Sequence, residues 1–165
     1  NIEPYGLTVP MWYCPTRPGD FADAQKWYRT QPNRTGDSLS AIQDLNRYFV
    51  RQYGNFAIIW QCWWVPRPLE DGTMFPTPTT SGTFTRTKDG WPTKLEDSVA
   101  SLQPVISDLC LAEGSRNTNV VNARAGHPIG NKVQSVNLAF ADGHVETRNG
   151  KQIQWQQSGN WTTFY

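Results

Sequence analysis

The stretch Ser135-Val136-Asn137-Leu138-Ala139-Phe140, then Ala141-Asp142-Gly143-His144, then Val145-Glu146-Thr147-Arg148 decides the fold. Two runs of alternating polarity flank Asp142-Gly143. Asp-Gly between such runs is the strongest short-range hairpin signal, because a type I′ turn needs positive φ at both central residues. The spacing predicts an antiparallel hairpin closed by a tight two-residue reversal, and with it a sheet.

Upstream, Asn55 to Val65 is rich in β-branched and aromatic residues with apolar side chains at both parities, which suits a central strand covered on both faces. Pro66 and Pro68 end it. Pro104 to Ala112 predicts a further strand, and Leu95 to Leu102 a brief helix. The tail from Ile153 to Tyr165 carries Trp155, Trp161, Phe164 and Tyr165 and is expected to dock across the sheet. Two stretches are expected as loop: Pro66 to Pro92, with Phe75, Phe84 and Trp91 packing down in places, and Glu113 to Asn131.

The first third reads as helical. After a loop rich in Pro and Gly over residues 1–19, Asp20 is placed to cap a short helix from Phe21 to Arg29. Ser40 and Gln43 have capping-box spacing, and Leu39, Ile42, Leu45 and Phe49 recur at helical intervals up to Gly54. At 165 residues the chain is expected to form one α+β domain, long enough to bury roughly 70% of its unfolded surface.

Composition narrows the function. Fifteen basic and fourteen acidic side chains give a net charge of +1 and are scattered along the chain. With no Lys/Arg cluster to track phosphates, nucleic-acid binding is not expected. No apolar run reaches the roughly eighteen residues of a membrane span. The chain opens at Asn1 and not at Met, which reads as a processed or trimmed segment whose anchor or export signal would lie upstream.

Eight Trp are the compositional outlier. Each has an N–H that needs a partner when buried. They either cover the rims of a thin core or form an exposed platform for sugar or peptide, with Trp63, Trp64, Trp155 and Trp161 as the platform candidates. Cys14, Cys62 and Cys110 lack metal-type spacing. Buried thiols are one arrangement for them, and a single disulfide using Cys14 is another.

Catalytic signatures are missing. No G-x-S-x-G elbow and no Gly-rich phosphate loop is present. A Ser–His or Cys–His pair would have to use His127 or His144. Two His without a clear third ligand leave a zinc tetrahedron short. His127 is instead expected to hydrogen-bond back towards the hairpin. Asp108, Glu113, Asp142 and Glu146 lie on or near strands that could be neighbours, so Asp108 and Asp142 are calcium candidates. The competing reading has Asp142 hydrogen-bonding its own turn.

The segment from Gly126-His127 through Phe140-Ala141-Asp142-Gly143-His144-Val145 resembles the C-terminal region of prepilin-type proteins of Planctomycetes, Verrucomicrobia and Lentisphaerae. Their pattern is a His, about nine residues, then Asp-Gly in a hairpin. Here fourteen residues separate His127 from Asp142. The segments Tyr13-Cys14-Pro15-Thr16 and Pro104 to Asp108 look similar as well, as does the Trp155 to Tyr165 ending. The motif positions carried over are His127, Asp142, Gly143 and His144.

The resemblance implies a pilin-like or type II secretion pseudopilin-like head, an antiparallel sheet with flanking helices. An N-terminal apolar helix, absent from this chain, would supply the membrane attachment. It further implies export to the periplasm, outer membrane or cell surface, with other pilin-like subunits or secretion machinery as partners. The expected function is non-catalytic assembly without a required cofactor, calcium being possible; the alternative is a glycan- or peptide-binding module using exposed Trp.

Overall fold

The computed structural model describes residues 6–53, 60–69, 72–77, 85–87, 89–114, 126–130, 132–158 and 161–165. The chain packs as two compact units, residues 1–60 and 61–165, a subdivision that length alone does not anticipate. Among the described residues two α-helices lie in the first unit and antiparallel sheets in the second, giving a mixed α+β arrangement in which sheet predominates. No described helix is long and apolar enough to cross a membrane.

In the first unit, a 3₁₀ turn Val9–Trp12 precedes α1, Pro18–Arg29. The helix starts a little earlier than Asp20 suggests, because Pro18 occupies the first turn, where its missing N–H costs nothing. Asp20 lies inside that turn and accepts from Arg17 Nε at 2.7 Å. The second helix, α2, is Ile42–Tyr53. Its first turn is headed by Ala41, whose carbonyl accepts from the N–H groups of Asp44 and Leu45 at 3.1 Å. Ala41 therefore stands where the Ser40 capping box was expected, and Gly54 lies outside the described residues. The apolar spacing holds: Leu39, Leu45, Tyr48 and Phe49 are buried with Val9 and Tyr28.

Among the described residues the second unit has ten short strands: β1 Gln61–Trp63, β2 Arg67–Pro68, β3 Met74–Phe75, β4 Pro104–Asp108, β5 Leu111–Glu113, β6 His127–Ile129, β7 Lys132–Phe140, β8 Val145–Asn149, β9 Trp155–Ser158 and β10 Trp161–Phe164. β1, β4, β6, β7 and β8 form one sheet, β5, β10 and β9 a second, and β2 with β3 a two-stranded ribbon.

Several expectations change here. β1 pairs with β4 and ends the described strand order, so the described part of the 55–65 run is not central; residues 54–59 lie outside the described residues. The stretch 95–102 forms successive turns, not a helix. Asp97 draws the chain into them, its Oδ2 accepting from Thr93 N–H, Thr93 Oγ1 and Lys94 N–H at 2.6, 2.9 and 3.1 Å. The expected strand 104–112 is two strands in different sheets, parted at Leu109, whose carbonyl accepts the Gly126 N–H at 2.7 Å. Both stretches expected as loop contribute short strands, and Phe75 and Trp91 do pack against the core. Phe84 lies outside the described residues.

The hairpin forms as β7 and β8, with Ala139 opposite Val145 and Ser135 opposite Asn149. Its turn differs from expectation. Phe140 N–H donates to His144 O at 3.0 Å and Gly143 N–H to Phe140 O at 3.1 Å, so three residues close the loop. Gly143, at φ +94°, fills the left-handed bulge position that follows the tight turn in such three-residue loops.

Tryptophan organises the core of this unit. Trp64 stacks on Trp91 at 5.3 Å and meets Tyr165 edge-on at 4.6 Å. Their buried N–H groups are satisfied: Trp64 Nε1 donates to Ser107 Oγ at 2.8 Å, and Trp91 Nε1 to Tyr165 Oη at 3.0 Å. Cys14, Cys62 and Cys110 are all free and buried, so the disulfide alternative is not realised.

Candidate functional site

Residue pairing brings Asp108 and His127 together along one edge of β7. Leu138 pairs with both Ser107 of β4 and Glu146 of β8, and Ser135 with both His127 of β6 and Asn149 of β8. A residue has one partner per edge, so β8 takes one side of β7 while β4 and β6 share the other, end to end. Asp108 closes β4 and His127 opens β6.

Asp108 spans the break between them. Its Oδ2 accepts the Asn137 N–H of β7 at 2.7 Å, replacing the backbone carbonyl that a continuous strand would supply. The same oxygen lies 3.3 Å from His127 Nε2, with side-chain exposures of 18% for Asp108 and 23% for His127. Burial raises the Asp108 carboxyl above its ordinary 3.8, opposed by the Asn137 N–H and by the charge of His127. Gly126 makes the approach possible. It has φ +53°, and an added Cβ would lie 2.6 Å from Ser135 O and 2.8 Å from Val136 Cγ1.

The hairpin tip is a separate arrangement. Asp142 Oδ1 accepts from His144 N–H at 3.1 Å and lies 2.6 Å from His144 Nδ1. These two contacts, backbone first, hold the Asp142 carboxyl below its ordinary value. The His144 ring stacks on Phe140 at 4.0 Å. Asp142 thus serves its own turn.

The calcium candidates do not converge. β4 runs antiparallel to β7 with Pro104 opposite Phe140. Asp108, opposite Asn137, and Asp142, in the turn beyond Phe140, therefore sit near opposite ends of that ladder, about 15 Å apart at strand rise. Glu113 pairs with Trp161 in the other sheet and Glu146 with Leu138 on β8. Among the described residues no three His, Cys, Asp or Glu side chains gather as a metal site. These four carboxylates do not converge on one cation.

Nor do the four platform tryptophans stand together as exposed rings. Trp64 is fully buried and Trp155 packs partly buried against the core, while Trp63 and Trp161 are 43% and 49% exposed.

Comparison with known proteins adds no relative. No family model, curated protein or solved structure matches the chain.

An imidazole held by a carboxylate is the base-and-orienter half of a nucleophilic site. Ser135 stands opposite His127 in register, yet among the described residues no Ser or Cys hydrogen-bonds to either imidazole. The thiol of Cys110, two residues from Asp108, is pushed up to about 12 by burial and then by the Asp108 charge, which disfavours the thiolate. What the Asp108–His127 pair can do is clasp β4, β6 and β7. The sequence reading has His127 hydrogen-bonding back towards the hairpin; its backbone pairs in register with Ser135, while its side chain meets Asp108, a partner that reading does not name. The one local signal was Gly126 directly before it.

Proposed function

We propose that this chain is the non-catalytic head of a pilin-like or pseudopilin-like protein, working by packing and contact in a cell-surface or secretion-type assembly outside the cytoplasm. One observation carries the reading: both imidazoles of the hairpin motif are engaged in shaping strands. His127 closes the β4–β6 break with Asp108, and His144 closes the turn with Asp142. Both imidazoles serve the fold, and the hairpin tip is left as a surface element. Val145, at its tip, is 68% exposed and offers an apolar contact to a neighbouring subunit.

The test uses the full-length protein, tagged in its native host, with cross-linking of intact cells. Pilin-like subunits are expected among the cross-linked partners, and Val145→Glu is expected to lower their yield while the protein stays folded. Recovery of the wild-type protein as a free monomer in cross-linked cells would overturn the reading.

A further inference from the structure

The first unit contains a cleft of about 250 Å³ between the end of α1, the turn that follows it and the first half of α2. Trp27, Asn33, Arg34, Asp44 and Arg47 supply its chemistry. The Asp44 side chain is only 8% exposed and bonds Arg47 Nη1 at 3.1 Å, while Arg47 is 65% exposed. Arg34 is tethered through Nη1 to the Arg29 carbonyl at 3.0 Å. The Trp27 ring packs against Tyr48 at 5.3 Å and 57°, which fixes its plane. Its indole N–H has no hydrogen-bond partner among the described residues.

We propose that this cleft binds a single pyranose ring of a carbohydrate, its apolar face on Trp27 and its hydroxyls on Asp44, Asn33 and Arg47. A hydroxyl both donates and accepts. The cleft offers a carboxylate that only accepts, guanidiniums that only donate, and a carboxamide that does both. Trp27 adds an apolar face with a polar edge. The two guanidiniums disfavour a cation, and the buried Asp44 carboxylate disfavours a phosphate. The volume lies below the roughly 300 Å³ at which sites for larger ligands begin, so one ring is the fitting size. Trp63 and Trp161 take no part, and the site is independent of the assembly reading.

D-glucose, D-galactose, D-mannose, N-acetyl-D-glucosamine and D-glucuronate are titrated separately into the full chain and followed by Trp fluorescence and saturation-transfer NMR. At least one is expected to saturate in the millimolar range, as about a dozen heavy atoms at ordinary efficiency allow. Asp44→Asn is expected to weaken it about tenfold, or about 1.4 kcal/mol. Asn33→Ala, at an exposed turn position, gives a second reading should Asp44→Asn fail to fold. Trp63→Ala/Trp161→Ala is expected to bind as the wild type. The proposal is overturned if none of the five saturates, if inorganic phosphate displaces the bound sugar, if both cleft variants bind unchanged, or if the Trp63/Trp161 variant loses binding.

Discussion

Asp108 Oδ2 lies 3.3 Å from His127 Nε2 across the gap between two strands that share one edge of β7. The contact ties β4 to β6 where no continuous backbone does. Because burial raises the Asp108 carboxyl above 3.8, the folded protein holds that proton more tightly than the unfolded chain. Its contribution is therefore most favourable in acid and is lost as pH rises from 3.8 through the raised folded value. Asp108→Asn removes this titration and keeps an acceptor for Asn137. Urea midpoints measured across that acid window should fall with rising pH more steeply in the wild type than in the variant; equal slopes would refute the assignment.

Glycine positions separate strain from collision. Gly126→Ala combines φ +53° with a Cβ 2.6 Å from Ser135 O, whereas Gly143→Ala, at φ +94°, meets nothing within 4 Å. The first should destabilise by about 3 kcal/mol or more and the second by about 1 kcal/mol. Thermal melts of the two variants rank them directly, and a Gly143 effect as large as that of Gly126 would contradict the packing described.

Tyr165 links a buried indole to a half-buried carboxamide, accepting from Trp91 Nε1 at 3.0 Å and donating to Gln103 Oε1 at 2.6 Å. Tyr165→Phe leaves a buried indole N–H without its acceptor. The cost should be about 2 kcal/mol by denaturant unfolding, since an orphaned buried donor loses its hydration without return. A change of a few tenths would show that water reaches Trp91.

The thiols of Cys62 and Cys110 are both pushed up to about 12, chiefly by burial. At mildly alkaline pH neither should react with a disulfide reagent in the native protein, and both should react once urea unfolds it. Rapid native labelling at either position, located by mass spectrometry, would contradict their burial.

The hairpin was legible because its determinants are local: alternating side chains on either side of Asp142-Gly143. The length of its loop was not, since two- and three-residue closures use the same residues and differ only in whether Phe140 pairs with His144. The apolar face of α2 was legible for the same local reason. Its capping residue was not, because Ser40 and Ala41 compete for one position.

By itself the sequence determined that residues 135–148 fold back as antiparallel strands and that α1 and α2 form. These follow from side-chain period and turn chemistry, which act over a few residues. Only the tertiary structure decided that residues 104–113 divide between two sheets, that Trp64 is buried, and that Asp108 turns to His127 and away from Asp142. Strand partners and register set those outcomes, and they join residues far apart in the chain, where no local pattern records which edge a strand will take.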